Sequence, residues 1–235
     1  MKRKAMLLLF TALLVFAVPA HADVFLLGFT GFDYESPDAS DPDVNGSTYL
    51  NVGDGYKAVG FITSVGPLLT PWVDTVTNEY TFYLFNLTVT GHNWDAPNQF
   101  LDVQFANNGR GRYYEDDRTS GTPGTYGINP PNASAPSTFI DGIVSLGGKI
   151  DNFSLYYDYL ANQGGFSGAM TLDEGSNLIY IPVAQRAGWV LGGLAGRPNS
   201  TVPTGYDNQI SGECRIPNAT PTTHTTWGAV KSLYR

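Results

Sequence analysis

Glu79-Tyr-Thr-Phe-Tyr-Leu-Phe-Asn-Leu-Thr-Val-Thr-Gly91 decides how the rest of the chain is read. Side chains alternate faces along an extended chain, which puts Tyr83, Phe85, Leu87 and Val89 on one side. Phe82 and Leu84 take the other, followed by Asn86, Thr88 and Thr90. A strand apolar on both faces for half its length requires cover on both sides. Aromatic and β-branched residues supply the propensity, and neither Gly nor Pro interrupts the run before Gly91. The segment reads as a central strand of an antiparallel β-structure.

Further strands follow the same logic outward. Asp23 to Phe32 reads as a first strand, leading into a polar loop, Asp33 to Ser47, with two prolines. Tyr56 to Val65 is a second strand, started by the turn Val52-Gly-Asp-Gly55. Phe100 to Phe105 and Gly111 to Glu115 flank Asn107-Asn-Gly-Arg110, the signature of a tight hairpin. Residues 117 to 137 carry turn formers without periodicity and read as one long surface loop. A meander follows: Phe139 to Ile150, a turn at Asp151-Asn152, Phe153 to Leu160, Phe166 to Leu172, and Asn177 to Val183. A last strand near Tyr206 to Glu213 completes the domain. About ten short strands in one chain predict an all-β fold, a single antiparallel β-sandwich or partly open β-barrel.

The ends read differently. Lys2, Arg3 and Lys4, the apolar run Met6 to Val18 and Ala20-His21-Ala22 form a bacterial signal peptide over residues 1–22. The predicted β-domain spans 23–213, a Pro/Thr-rich linker 214–226, and a short amphipathic segment 227–235. In that last segment Trp227, Val230, Leu233 and Tyr234 share a helical face that needs a docking surface, because nine residues are too few to hold a helix alone.

The 235-residue chain carries a formal charge of −8, and loss of the three basic residues of the leader takes it to −11. Such a surface repels phosphate backbones and anionic lipids, so neither nucleic acid nor membrane insertion after cleavage is expected. Cys214 is the only cysteine, so internal disulfides are excluded, and the thiol reads as a partly buried small hydrophobe or else as one half of an intermolecular disulfide.

Val52 to Val65, Ser137-Thr-Phe-Ile-Asp-Gly142 and Gly164-Gly-Phe-Ser-Gly168 together resemble exported bacterial all-β proteins of unknown function, of the PEP-CTERM-associated type. The chain departs from that group in lacking the Pro-Glu-Pro motif and the apolar helix of the sorting tail. The group brings no known activity. The stretch Val52 to Asn86 also resembles an OB-fold, whose strand-binding use requires a basic groove that this acidic chain lacks.

Four constellations carry potential chemistry. Asp41-Pro-Asp-Val-Asn-Gly46 offers oxygen ligands for calcium through Asp41, Asp43 and Asn45, with Asp54 available to complete the shell. Val52 stands where a closing carboxylate belongs, and a solvated acidic turn explains the same residues. Tyr113-Tyr-Glu-Asp-Asp117 places Glu115 and Asp117 on one face, the pair a glycosidase would need, or else a hydrated strand end. His92 is the only histidine of the predicted domain, and the chain has no Gly-x-Ser-x-Gly elbow and no His-Glu-x-x-His motif. Trp72, Trp94 and Tyr126 fall in predicted loops, as stacking platforms for a glycan or protein partner or as lids on the core.

The expectation is a secreted or cell-surface, non-catalytic β-protein with a structural, matrix or adhesion role. A calcium-supported carbohydrate-binding module is the alternative, and a secreted glycoside hydrolase the third reading.

Overall fold

The computed structural model describes residues 23–36, 50–126, 134–196 and 202–216. Residues 1–22, expected as a signal peptide, and the Trp227, Val230, Leu233 and Tyr234 segment, expected to dock, lie outside the described residues. Among the described residues nine strands form one antiparallel sheet: β1 (Val24–Ser36), β2 (Gly55–Val65), β3 (Asn78–Asp95), β4 (Phe100–Phe105), β5 (Gly109–Asp117), β6 (Ile143–Asp158), β7 (Gln163–Glu174), β8 (Trp189–Gly196) and β9 (Asn208–Ile216). One short helix, α1 (Ser134–Ile140), precedes β6.

The sheet closes on itself. Each strand pairs with its neighbour in the chain except β4 with β5, and β9 returns to β1 with Ile216 opposite Val24 and Asn208 opposite Asp33. Eight strands complete the ring, and the extra one arises because β4 and β5 share a single position. Both pair with β3, β4 over Val89–Asp95 and β5 over Asn78–Phe85, and both pair with β6. Asn107-Asn-Gly-Arg110 is therefore not the expected hairpin but a break in one long strand. The hydrogen-bonding partners on either side, β3 and β6, run straight past it and hold both pieces in line.

Three neighbouring strands are creased at that level. Asn86 in β3 and Asn152 in β6 take left-handed φ values of 58° and 52°, and the Asn152 amide donates to Asn107 Oδ1 at 2.7 Å. Each asparagine marks a β-bulge, where one extra residue shifts the alternation of side chains by one. In β3 the faces consequently differ from simple alternation. Phe82 and Leu84 point into the barrel, and beyond the bulge Leu87 and Val89 do so too, while Tyr83 and Phe85 lie outside. In β6 the bulge replaces the expected turn at Asp151-Asn152, so Phe139–Ile150 and Phe153–Leu160 are not two strands.

The barrel is filled by rings. Phe29 lies 4.9 Å from Phe82 and 6.2 Å from Phe166, centroid to centroid. Phe166 continues to Phe153 at 5.9 Å, and Phe153 to Phe105 at 5.1 Å and Tyr56 at 5.6 Å. Eight strands leave an interior just wide enough for such a filling, and wall glycines make the room. A Cβ on Gly212 would stand 2.7 Å from Phe29, and one on Gly193 would stand 2.7 Å from Phe166.

A second, smaller cluster lies outside the wall. Tyr34, Val59 and Tyr206 are covered by Phe139 of α1, with Phe32, Phe61, Tyr83 and Tyr126 packed around them. Thr81 Oγ1 fixes α1 to the wall by donating to the Phe139 carbonyl at 2.8 Å. The early part of β3 is thus covered on both faces, inside by the rings and outside by this segment. Phe139, expected to open a strand, is a helix residue and fully buried.

Two further expectations are corrected. Asn177–Val183 forms 3₁₀ turns, Ser176–Tyr180 and Val183–Gln185, and the strand in this region is β8, whose sequence Trp-Val-Leu-Gly-Gly-Leu-Ala-Gly is half small residues. β1 extends to Ser36, so Asp33 and Glu35 are buried strand residues and not the start of a loop.

Candidate binding surface

The upper rim of the barrel, where β1, β3, β6 and β8 end, gathers buried polar groups. Asp33 Oδ1 accepts from the Asn208 backbone amide at 2.7 Å and its side chain at 3.2 Å. Glu35 Oε1 accepts from the Leu50 amide at 2.9 Å, and Asp207 Oδ2 from the Glu35 amide at 3.1 Å. These carboxylates tie β1 to β9 and to the turn at residues 50–54. Tyr56 sits fully buried below them, its hydroxyl pushed well above the usual range by burial and then by the Asp33 charge.

Of the calcium candidates, Asp41, Asp43 and Asn45 lie outside the described residues. Asp54 Oδ2 accepts from the Asn51 amide at 2.6 Å and so shapes the turn it belongs to. Among the described residues no group of three His, Cys, Asp or Glu side chains could hold a metal ion. His92 Nδ1 donates to the Leu50 carbonyl at 3.1 Å, which anchors the same turn.

Glu115 and Asp117 are each engaged locally. Glu115 Oε1 accepts from Asn78 Nδ2 at 2.5 Å. Asp117 Oδ1 accepts from the Thr119 hydroxyl at 2.6 Å and amide at 2.7 Å, and these bonds hold its carboxyl below the usual range. A glycosidase acid needs the opposite shift.

The three aromatic candidates separate. Tyr126 packs edge-on at 4.7 Å against Phe32 and lies within the outer cluster, as a lid. Trp94 packs edge-on at 5.3 Å against Tyr159 at the upper rim and against the interior core. Trp72 is different. It stands at the lower rim, 47% exposed, stacked on Tyr180 with centroids 3.6 Å apart and planes 6° from parallel. Exposed Ile179 and Val183 flank Tyr180 in sequence, and Val76 is exposed on the Trp72 loop.

Both loops carrying that stack are pinned. In the Trp72 loop, buried Leu69 plugs the barrel end, and Asp74 Oδ1 accepts from the Val76 amide at 2.9 Å while its Oδ2 accepts from the Thr77 hydroxyl at 2.8 Å. In the Tyr180 loop, buried Ile181 is the plug, and Arg186 donates at 3.1 Å to both the Ile181 and Leu178 carbonyls. Trp189 Nε1 adds a bond to the Gln185 carbonyl at 2.6 Å. Tyr180, Ile179 and Val183 escaped sequence reading because that segment looks like a strand, and only its position beside Trp72 reveals them.

No protein-family model, curated protein or solved structure matches the chain.

Proposed function

We propose that this chain is an exported bacterial protein, non-catalytic, with a structural, matrix or adhesion role at the cell surface, and that the lower rim is its contact surface. The observation that carries the reading is the Trp72–Tyr180 stack, an exposed apolar surface on loops already held in place. Aromatic anchors on pre-ordered segments bind other surfaces at low entropic cost. The filled interior supports a role exercised from outside the barrel. The wall itself supports a water-facing barrel: outward Arg110 and Arg112 pair with Asp173 and Glu174, and Lys149 with Asp151. A membrane barrel carries an apolar belt in those positions.

Trp72→Ala/Tyr180→Ala in the full chain tests the proposal. The doubly substituted protein should be exported, processed to begin at Asp23 and folded by circular dichroism. It should also pass from the cell-surface fraction to the medium. Retention at the wild-type level would remove the lower rim as the contact surface.

A further inference from the structure

The outer wall of β6–β9 holds a second surface of different chemistry. Pairing across these strands brings outward residues into two adjacent rows. One row runs Tyr156, Gly165, Leu194, Ser211, and the next, nearer the upper rim, runs Asp158, Gln163, Gly196, Gln209. Phe100 of β4 extends the second row beyond Asp158, its ring 6.1 Å from Tyr156 and 17° from parallel. Gly165 is covered by Tyr156, and the others line a groove of about 550 Å³. This lies within the range of small-ligand sites, and crossing four strands gives a span of roughly 14 Å.

The floor of the groove is made by glycine. A Cβ on Gly165 would stand 2.7 Å from the Tyr156 hydroxyl and 2.9 Å from its ring carbons, so only glycine lets that ring lie down on the sheet. Gly165 is buried beneath it, while Tyr156 remains 48% exposed and Leu194 65% exposed. The amides of Gln163, on the strand next to Tyr156, and of Gln209, on the far strand of the groove, line it from exposed residues. An amide both donates and accepts, as a sugar hydroxyl does. A flat ring offered face-up beside such groups matches the apolar face and hydroxyl edge of a pyranose. Asp158 is the one carboxylate in the lining, no cationic side chain accompanies it, and the chain is acidic throughout. That charge disfavours an anionic ligand.

We propose that this groove binds a neutral oligosaccharide, with a pyranose ring on Tyr156, hydroxyls beside it on Gln163, and those of a further sugar on Gln209 at the far side of the groove. The site is separate from the Trp72–Tyr180 rim, and the two stand or fall independently. Affinity electrophoresis of the full chain in gels containing a neutral glucan, mannan or galactan, or acidic polygalacturonate, reads it directly. The wild-type chain should be retarded by at least one neutral polymer and not by the acidic one. Tyr156→Ala should weaken that retardation at least ten-fold, and Gln163→Ala/Gln209→Ala, on exposed positions that leave the fold intact, should weaken it several-fold. Gly165→Ala supplies a further check, because the new methyl meets only the movable end of Tyr156 and lifts the ring from the sheet. It should lose binding while keeping the wild-type circular dichroism spectrum. Trp72→Ala should bind as wild type. Absence of retardation by every neutral polymer, retardation by the acidic polymer alone, or retention of binding in both Tyr156→Ala and Gln163→Ala/Gln209→Ala would overturn the proposal.

Discussion

Gly60 faces Gly31 across the β1–β2 pair, and neither position has room for a side chain. A Cβ on Gly60 would stand 2.2 Å from the Thr30 carbonyl oxygen, 2.6 Å from the Gly31 Cα and 2.6 Å from Phe82. Two of those three neighbours are backbone, so the strands would have to part or the Phe82 ring leave its place against Phe29. Overpacking of this kind costs about 1–3 kcal/mol. Gly60→Ala should therefore lower the unfolding free energy measured in urea by an amount in that range, with the slope of the transition unchanged. The contrast with Gly165 is instructive, because there the obstacle is the end of an exposed side chain and the fold should tolerate the methyl. A Gly60→Ala protein as stable as wild type would mean that the rings are looser than their distances show.

At the scale of the element, the asparagines of the crease decide which residues face inward. Asn152 occupies the left-handed region that glycine adopts freely and Asn tolerates, and the bulge there returns Phe153, Leu155 and Tyr157 to the interior after Ile150. Asn152→Gly should fold with an unfolding free energy in urea within about 1 kcal/mol of wild type, since the glycine accepts the same backbone conformation. Deleting Asn152 removes the extra residue, so plain alternation keeps Phe153, Leu155 and Tyr157 inward after Ile150. What is lost is the bond to Asn107 and the crease beside the β4–β5 break. The expected result is a native near-ultraviolet circular dichroism spectrum with a lowered stability to urea, and loss of that spectrum would show that the bulge, and not alternation, holds these side chains inside. The same feature explains what the sequence reading reached and what it did not. Strands such as Phe100–Phe105 are legible because Leu101, Val103 and Phe105 alternate with polar residues and no turn former interrupts them. Alternation alone cannot show where Asn86 or Asn152 shifts the phase, since Asn is a turn former and reads as an end. Nor does β8 announce itself, because its glycines are dictated by Phe166 and other residues far away in the chain. Trp72 was visible as a loop aromatic, whereas Tyr156 looked like any solvent-facing tyrosine. Its groove exists only after Gln163, Leu194 and Gln209 arrive from three other strands.

For the whole molecule, closure of the ring replaces the covalent ties that many exported domains use. No strand of the barrel is left as an edge, and β9 is the seam that joins β8 to the first strand. Cys214 reports on that seam, since it lies in β9 opposite Leu27 on one side and Leu191 on the other, wholly buried in the core. Burial alone drives its thiol far above the ordinary range, and the thiolate is the reactive form, so the native protein should resist alkylation as well as intermolecular disulfide formation. Opening β9 would expose the thiol without requiring the rest of the barrel to unfold. If the ring behaves as one cooperative unit, labelling proceeds only through global unfolding. The free energy obtained from the rate of iodoacetamide labelling at about pH 8 should then equal that from urea denaturation within about 1 kcal/mol, with reductant changing neither. A labelling free energy several kcal/mol smaller would mean that the seam opens locally, and closure of the ring would no longer account for a stable domain without sulfur.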